Sequence, residues 1–252
     1  MGGLPVPDKQ DYGEVKVDNR DFIDAYRGDI RIISDYYKVG RDDGTPIDIT
    51  GIVNPLRIDN RQLCAPTDQQ GSTPHCAGYS ACTLVESLYW KATGRLLQFD
   101  SHQVYALAKM LDGDVEMEGT YLEESLKAVL GLCGDVDGFG FLKDAKIGTF
   151  FNQKDDNTIE TTKHLIHSHD IIQAGFSITS GWYDCNERNV VIEHRNDNIG
   201  GHAVNLCGYD GEYVYILNQW GMSFGAKGFA MLRWEDFLKE LMYVAYLENV
   251  RI

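Results

Sequence analysis

What the 252-residue chain lacks narrows its chemistry before any motif is read. It has no C-x-x-C pair. Six cysteines, at positions 64, 76, 82, 133, 185 and 207, are scattered singly, which excludes the usual zinc spacings and a dense disulfide framework. Most are expected to be reduced and buried, with a Cys64–Cys133 disulfide the one pairing left open. Positive charge is scarce. There are 23 Lys and Arg residues against 38 Asp and Glu, for a formal charge of −15 and no basic cluster. This argues against nucleic-acid phosphate and anionic membrane as partners. No stretch approaches the roughly 18 apolar residues of a membrane span, and residues 1–8 show no basic start followed by an apolar run. The chain as written is therefore expected to be cytoplasmic. No repeat or low-complexity tract interrupts it.

Metal sets are also thin. His164, His167 and His169 lie close together, but the apolar spacing over residues 159–166 reads as a helix with an exposed polar edge. Asp112, Asp114, Glu116, Glu118 and Glu123 match acidic positions of a calcium loop, yet Met117 stands where that loop needs glycine for its sharp turn. A solvated acidic loop is the expectation there, and no metal or cofactor is called for.

What is present is enough to bury a core: 43% of residues are apolar. Residues 1–45 combine an acidic, proline-bearing arm with a sticky segment over 22–37, read as bracing the body. Residues 46–67 read as an extended strap. Behind Cys76, the residues Ala77, Ala81, Leu84, Val85, Leu88 and Ala92 recur at helical spacing, and Gly94 supplies a stop. Asp100 or Ser101 is expected to cap a second helix through Leu111. Thr120 with Glu123 is expected to form the capping box of a third, running toward Gly134. After position 171 the texture turns to β-like runs at 171–178, 202–207, 213–217 and 228–232. The division expected is a bracing segment over 1–45, a helical part over 46–145 and a sheet-rich part over 146–252.

Cys76 falls at the first turn of its helix, where unpaired N–H groups and the positive end of the macrodipole are expected to lower a thiol pKa and favour the nucleophilic thiolate. A nucleophile needs a base. His202 follows the glycine pair 200–201 at the head of a strand. Asn218 ends the next strand, beyond the Asp210-Gly211 turn, so a hairpin brings its side chain toward His202. An Asn oxygen accepting from one imidazole N–H fixes the tautomer and leaves the other nitrogen for a thiol. Trp220 is large enough to shield that bond. Gln70, six positions before the thiol, is placed to fold its amide back as an oxyanion donor.

These residues carry a resemblance to the papain-like cysteine peptidases, in a stand-alone microbial form without a long prodomain. It runs from about position 63 to 247 and includes Gln70-Gly71, the Cys76 helix, Gly119-Thr120-Tyr121, Gly201-His202-Ala203-Val204, Asn218-Gln219-Trp220-Gly221 and Phe224-Gly225. The resemblance implies an α+β fold, with a helical left half, a barrel-like right half and the site in the cleft between them. It also implies Cys76 as nucleophile, His202 as general acid/base, Asn218 as its orienter and Gln70 in the oxyanion hole. Gly119, Thr120, Gly201 and Trp220 would lie along the substrate, a polypeptide. Departures cluster at Thr73-Pro74-His75, where the family usually has small residues, with Gln219 in place of a serine and Thr120 in place of a glycine. His75 is expected to be a rim residue. The same residues would also serve an amidase, deamidase or transamidating enzyme acting on one protein target, or a non-catalytic peptide-binding protein on the same scaffold.

Overall fold

A computed structural model of the chain describes residues 47–114, 116–134 and 138–252. The arm and sticky segment expected over 1–45 lie outside the described residues. The apolar stripe after position 76 becomes helix α1 (Cys76–Thr93), whose residues from Ala77 to Leu88 are all buried. It ends on Gly94, whose φ of 67° is the left-handed conformation that suits glycine after a helix. Helix α2 (Ser101–Asp112) is capped by the Asp100 carboxylate, which accepts from the His102 and Gln103 amides. Gly78 lets the two helices meet. A Cβ there would stand 2.7 Å from the Ser101 carbonyl oxygen, so any side chain would push the Cys76 turn away from α2.

Helix α3 (Leu122–Cys133) starts at Tyr121 without a side-chain cap. The expected capping box does not form, because the Thr120 hydroxyl donates to Asp112 instead, at 2.6 Å. Its place is taken from across the sheet: the Leu122 amide donates to the Tyr243 hydroxyl, which in turn donates to Glu123. Two further helices follow, α4 (Asp156–His169) and α5 (Trp234–Glu240).

The strands are β1 (Ile58–Asp59), β2 (Lys146–Phe151), β3 (Ile172–Ile178), β4 (Val191–Ile192), β5 (Gly200–Tyr209), β6 (Tyr213–Leu217), β7 (Phe229–Arg233) and β8 (Leu241–Glu248). They form one sheet in the order β2-β8-β3-β5-β6-β7-β4, with β1 also pairing with β5. Alternation along β5 assigns the two cores. Ala203 and Cys207 face the cluster built by α1, α2 and α3, whereas Val204 and Leu206 face a second cluster with Phe176, Trp182, Trp220 and Phe237.

Buried polar groups fix α1 to this sheet. Gln173 on β3 donates to the Ala77 carbonyl at 3.0 Å and to the Ser80 hydroxyl at 2.6 Å. Asn205 on β5 donates to the Ser80 carbonyl at 3.0 Å and accepts from Gln219 at 2.9 Å. Each such bond is buried, and losing one partner there costs on the order of 1–3 kcal/mol. The first turns of α1 are thereby tied to the strand that carries His202. All six cysteines are free thiols. Cys64, whose pairing with Cys133 was left open, meets the Cys207 thiol instead.

Candidate active site

Cys76 is the first residue of α1 and, half-buried, lines the wall of a cleft of about 790 Å³. Nearby backbone amides, that of Ala203 on β5 among them, favour the thiolate. Burial works against them and wins, so the thiol pKa is raised rather than lowered. The expectation drawn from the helix terminus fails because desolvation of the thiolate outweighs the helix-end amides.

His202, at 5% exposure, has its Nε2 2.8 Å from Asn218 Oδ1, and Asn218 is fully buried. Asn218 therefore sets the tautomer, with Nε2 carrying the proton and Nδ1 left for another group. Burial depresses the His202 pKa to about 4, while the Asn218 bond pulls it upward. Trp220 stands over the pair with ring centroids 4.7 Å apart, and Trp182 meets the imidazole edge-on at 5.8 Å. Cys76, His202, Gln70, Gly119, Thr120, Gly201 and Trp220 all line the one cleft. Asn218 sits behind His202, out of it.

The loop before Cys76 is stitched to the segment that carries Asn218. The Gln70 amide donates to the Gln219 carbonyl at 2.9 Å, the Gly221 amide to that of Asp68 at 3.0 Å, and the Thr67 hydroxyl to that of Asn218 at 2.6 Å. One Nε2 proton of the Gln70 side chain is spent on the Thr73 carbonyl at 2.9 Å, which holds the amide in place and leaves its second N–H to the cleft.

His75 is not a rim residue. It caps α1 at 1% exposure, stacks on Tyr105 with centroids 3.9 Å apart, and its Nδ1 lies 2.7 Å from His102 Nδ1. Burial and the neighbouring His102 hold its pKa down at about 3. The reason lies in α2. Gly78 brings that helix close enough to cover the residue before Cys76, a contact that no local pattern around position 75 announces. Sequence reasoning also missed Tyr105, Lys109 and Asp112 on α2, although their helical spacing with His102 marks them as one stripe. Asp112 was expected to be solvated, but its side chain is 2% exposed. Among the described residues no group of His, Cys, Asp or Glu is arranged to hold a metal ion. No helix among them is long and apolar enough to cross a membrane.

No protein-family model matches the sequence, and a search of curated proteins finds no sequence match. Solved structures do match the fold. Xylellain, a cysteine protease from Xylella fastidiosa, aligns over 100% of this chain and 95% of its own at 15% identity and a TM-score of 0.57. The Carica candamarcensis cysteine protease CMS1MS2, in complex with E-64, aligns over 78% of this chain and 100% of its own at 17% identity, TM-score 0.56. The proform of the ragweed pollen allergen Amb a 11, also a cysteine protease, covers 91% of this chain and 76% of its own at 17% identity, TM-score 0.59.

Proposed function

On the premise of this papain-like α+β fold, we propose that the chain is a thiol peptidase with Cys76 as nucleophile, His202 as general acid/base, Asn218 as its orienter and Gln70 in the oxyanion hole. The observation that carries the reading is that Cys76 and His202 line the same cleft while His202 Nε2 is bonded to Asn218 Oδ1 at 2.8 Å.

With the thiol raised and His202 depressed, the resting pair is neutral. Proton transfer from sulfur to His202 Nδ1 therefore accompanies attack on the substrate carbonyl. The Cys76 amide and the free Gln70 N–H receive the oxyanion. Collapse expels the amine, which takes the proton back from His202, and leaves a thioester. Water, losing a proton to the same imidazole, then releases the acid and restores the thiol. Asn218 accepts from Nε2–H throughout and favours the charged ring at the moment it forms. A bond inside a tryptophan-walled site is screened little by solvent, which is the service Trp220 renders. The substrate edge of the site is the backbone of Gly119 and Thr120 with Gly201 opposite.

Cys76→Ala is expected to abolish cleavage of a diverse peptide library and alkylation by iodoacetamide at that position while leaving the melting temperature unchanged. Cleavage at the parent rate by the substituted chain would refute the assignment. Intact-mass measurement on candidate protein targets separates peptide-bond hydrolysis, which yields fragments, from deamidation, which changes mass by about 1 Da without fragments.

A further inference from the structure

Helix α2 carries one stripe of polar side chains, His102, Tyr105, Lys109 and Asp112, and the last two line the cleft. Lys109 and Asp112 form an ion pair of 3.0 Å with both side chains 2% exposed. Burying such a pair carries a desolvation cost that the mutual attraction of the two ions repays only in part, so its presence asks for a reason beyond packing. The two residues lie on the same helix, three positions apart, so their mutual contact joins nothing to anything else.

What the pair does reach is Thr120, whose hydroxyl donates to Asp112 Oδ2 at 2.6 Å. One turn earlier, the Tyr105 hydroxyl accepts the Gly119 amide at 3.1 Å. Gly119 has φ of +80°, a conformation that favours glycine, and its Cβ position is open. The two residues of the proposed substrate edge are thus held from behind by α2, one through its amide and one through its side chain. Thr120 stands where a glycine pairs with substrate in the resembling family. Here its side chain is turned to Asp112, which keeps the peptide group at the cleft unobstructed. The same Tyr105 ring stacks on His75, the residue before the nucleophile. One rigid helix therefore sets the distance from the Cys76 turn to the Gly119–Thr120 edge.

We propose that Lys109, Asp112 and Tyr105 are positioning residues for substrate: they hold the Gly119–Thr120 edge in the register that an extended peptide must meet while its scissile carbonyl lies at Cys76. The inference rests on the proposed peptidase reading. Asp112 accepts three donors, the Lys109 ammonium, the Thr120 hydroxyl and, on Oδ1, the Asp114 amide at 2.9 Å. Removing the Thr120 hydroxyl frees the edge without unpairing a charge. Replacing the ion pair as a unit removes the support without leaving a lone buried ion.

The test uses the full chain with Thr120→Val and, separately, the double variant Lys109→Met/Asp112→Leu. It measures kcat and KM on peptides extended on the amino side of the cleaved bond, alongside the rate of Cys76 alkylation by iodoacetamide. That reagent is too small to touch the edge. The expected result is a loss in kcat/KM of roughly 10- to 100-fold on the extended peptides, with alkylation within about twofold of the parent. Peptide turnover equal to the parent would overturn the proposal, and so would an equal fall in alkylation, which would mark a merely structural role. Should the double variant fail to fold, Thr120→Val decides alone. If the parent cleaves no peptide at all, the peptidase reading fails instead. Binding of an extended peptide to Cys76→Ala, measured with and without Thr120→Val, then tests the edge, with unchanged affinity counting against it.

Discussion

Two histidines stand close to the proposed chemistry, His202 lining the cleft and His75 buried beside Cys76 in the chain, and they are held in opposite ways. His75, on the helical side, is packed flat on Tyr105 with a second imidazole, His102, against its Nδ1. Everything around it disfavours charge: burial and a like-charged neighbour both push its pKa down, to about 3. His202, on the sheet side, is buried as deeply, yet its partner is the Asn218 carbonyl oxygen, which favours the protonated ring. Position beside the cysteine in sequence is thus not what makes a base. What matters is an acceptor on the far nitrogen, which Asn218 supplies to His202.

Removing His202 is the harshest way to break this contrast. His202→Ala is expected to lower kcat/KM by about 10³-fold or more, because the thiol, raised by burial, then has no proton acceptor at Nδ1. Turnover on model peptides measures it, and a loss below tenfold would mean another base serves. Asn218→Ala should cost less, roughly 10- to 100-fold in kcat with KM nearly unchanged, since the ring keeps its place against Trp220 but loses its tautomer control. His75→Phe sharpens the comparison from the other side. It retains the stack on Tyr105 and should change kcat by less than about threefold.

Acid stability reads both rings at once. Each has a folded pKa depressed below the ordinary 6.5, to about 3 for His75 and about 4 for His202. The unfolded chain therefore binds protons first. Stability is fully present above about pH 6.5 and is lost as pH falls toward 4 and then 3. Glu86, whose carboxyl burial raises to about 7, works in the opposite direction over the same window, so the rings are read by difference. His75→Phe should gain melting temperature relative to the parent as pH falls from 7.5 to 5, and a difference between the two chains that does not change with pH would show that His75 is not buried neutral.

Much of this site was legible in the sequence because it depends on near neighbours. The Cys76 helix carries its own apolar stripe and its glycine stop, and the Asp210-Gly211 turn fixes the register that draws Asn218 toward His202. Gly119 was legible only through resemblance. The misses share a cause, which is that they depend on what another element does. Thr120 and Glu123 match a capping box locally, but Asp112 and Tyr243 outbid that pairing from α2 and β8. His75 looks like a loop residue until Gly78 lets α2 cover it. The direction of the Cys76 shift was misjudged for the same reason. A helix terminus is written in the local sequence, whereas the burial that overrides it comes from the whole fold. Strands β2 and β8, which pair with each other at the sheet edge, carry short mixed runs that gave no alternating signal strong enough to announce them.

The dependence of Cys76 on His202 is what the account stands on, and alkylation reads it without needing to know the substrate. Peptide mapping after brief exposure to iodoacetamide at pH 6.5 should find Cys76 modified well ahead of the other cysteines in the parent chain. In His202→Ala that rate should fall about tenfold or more. Equal rates in the two chains would contradict the account.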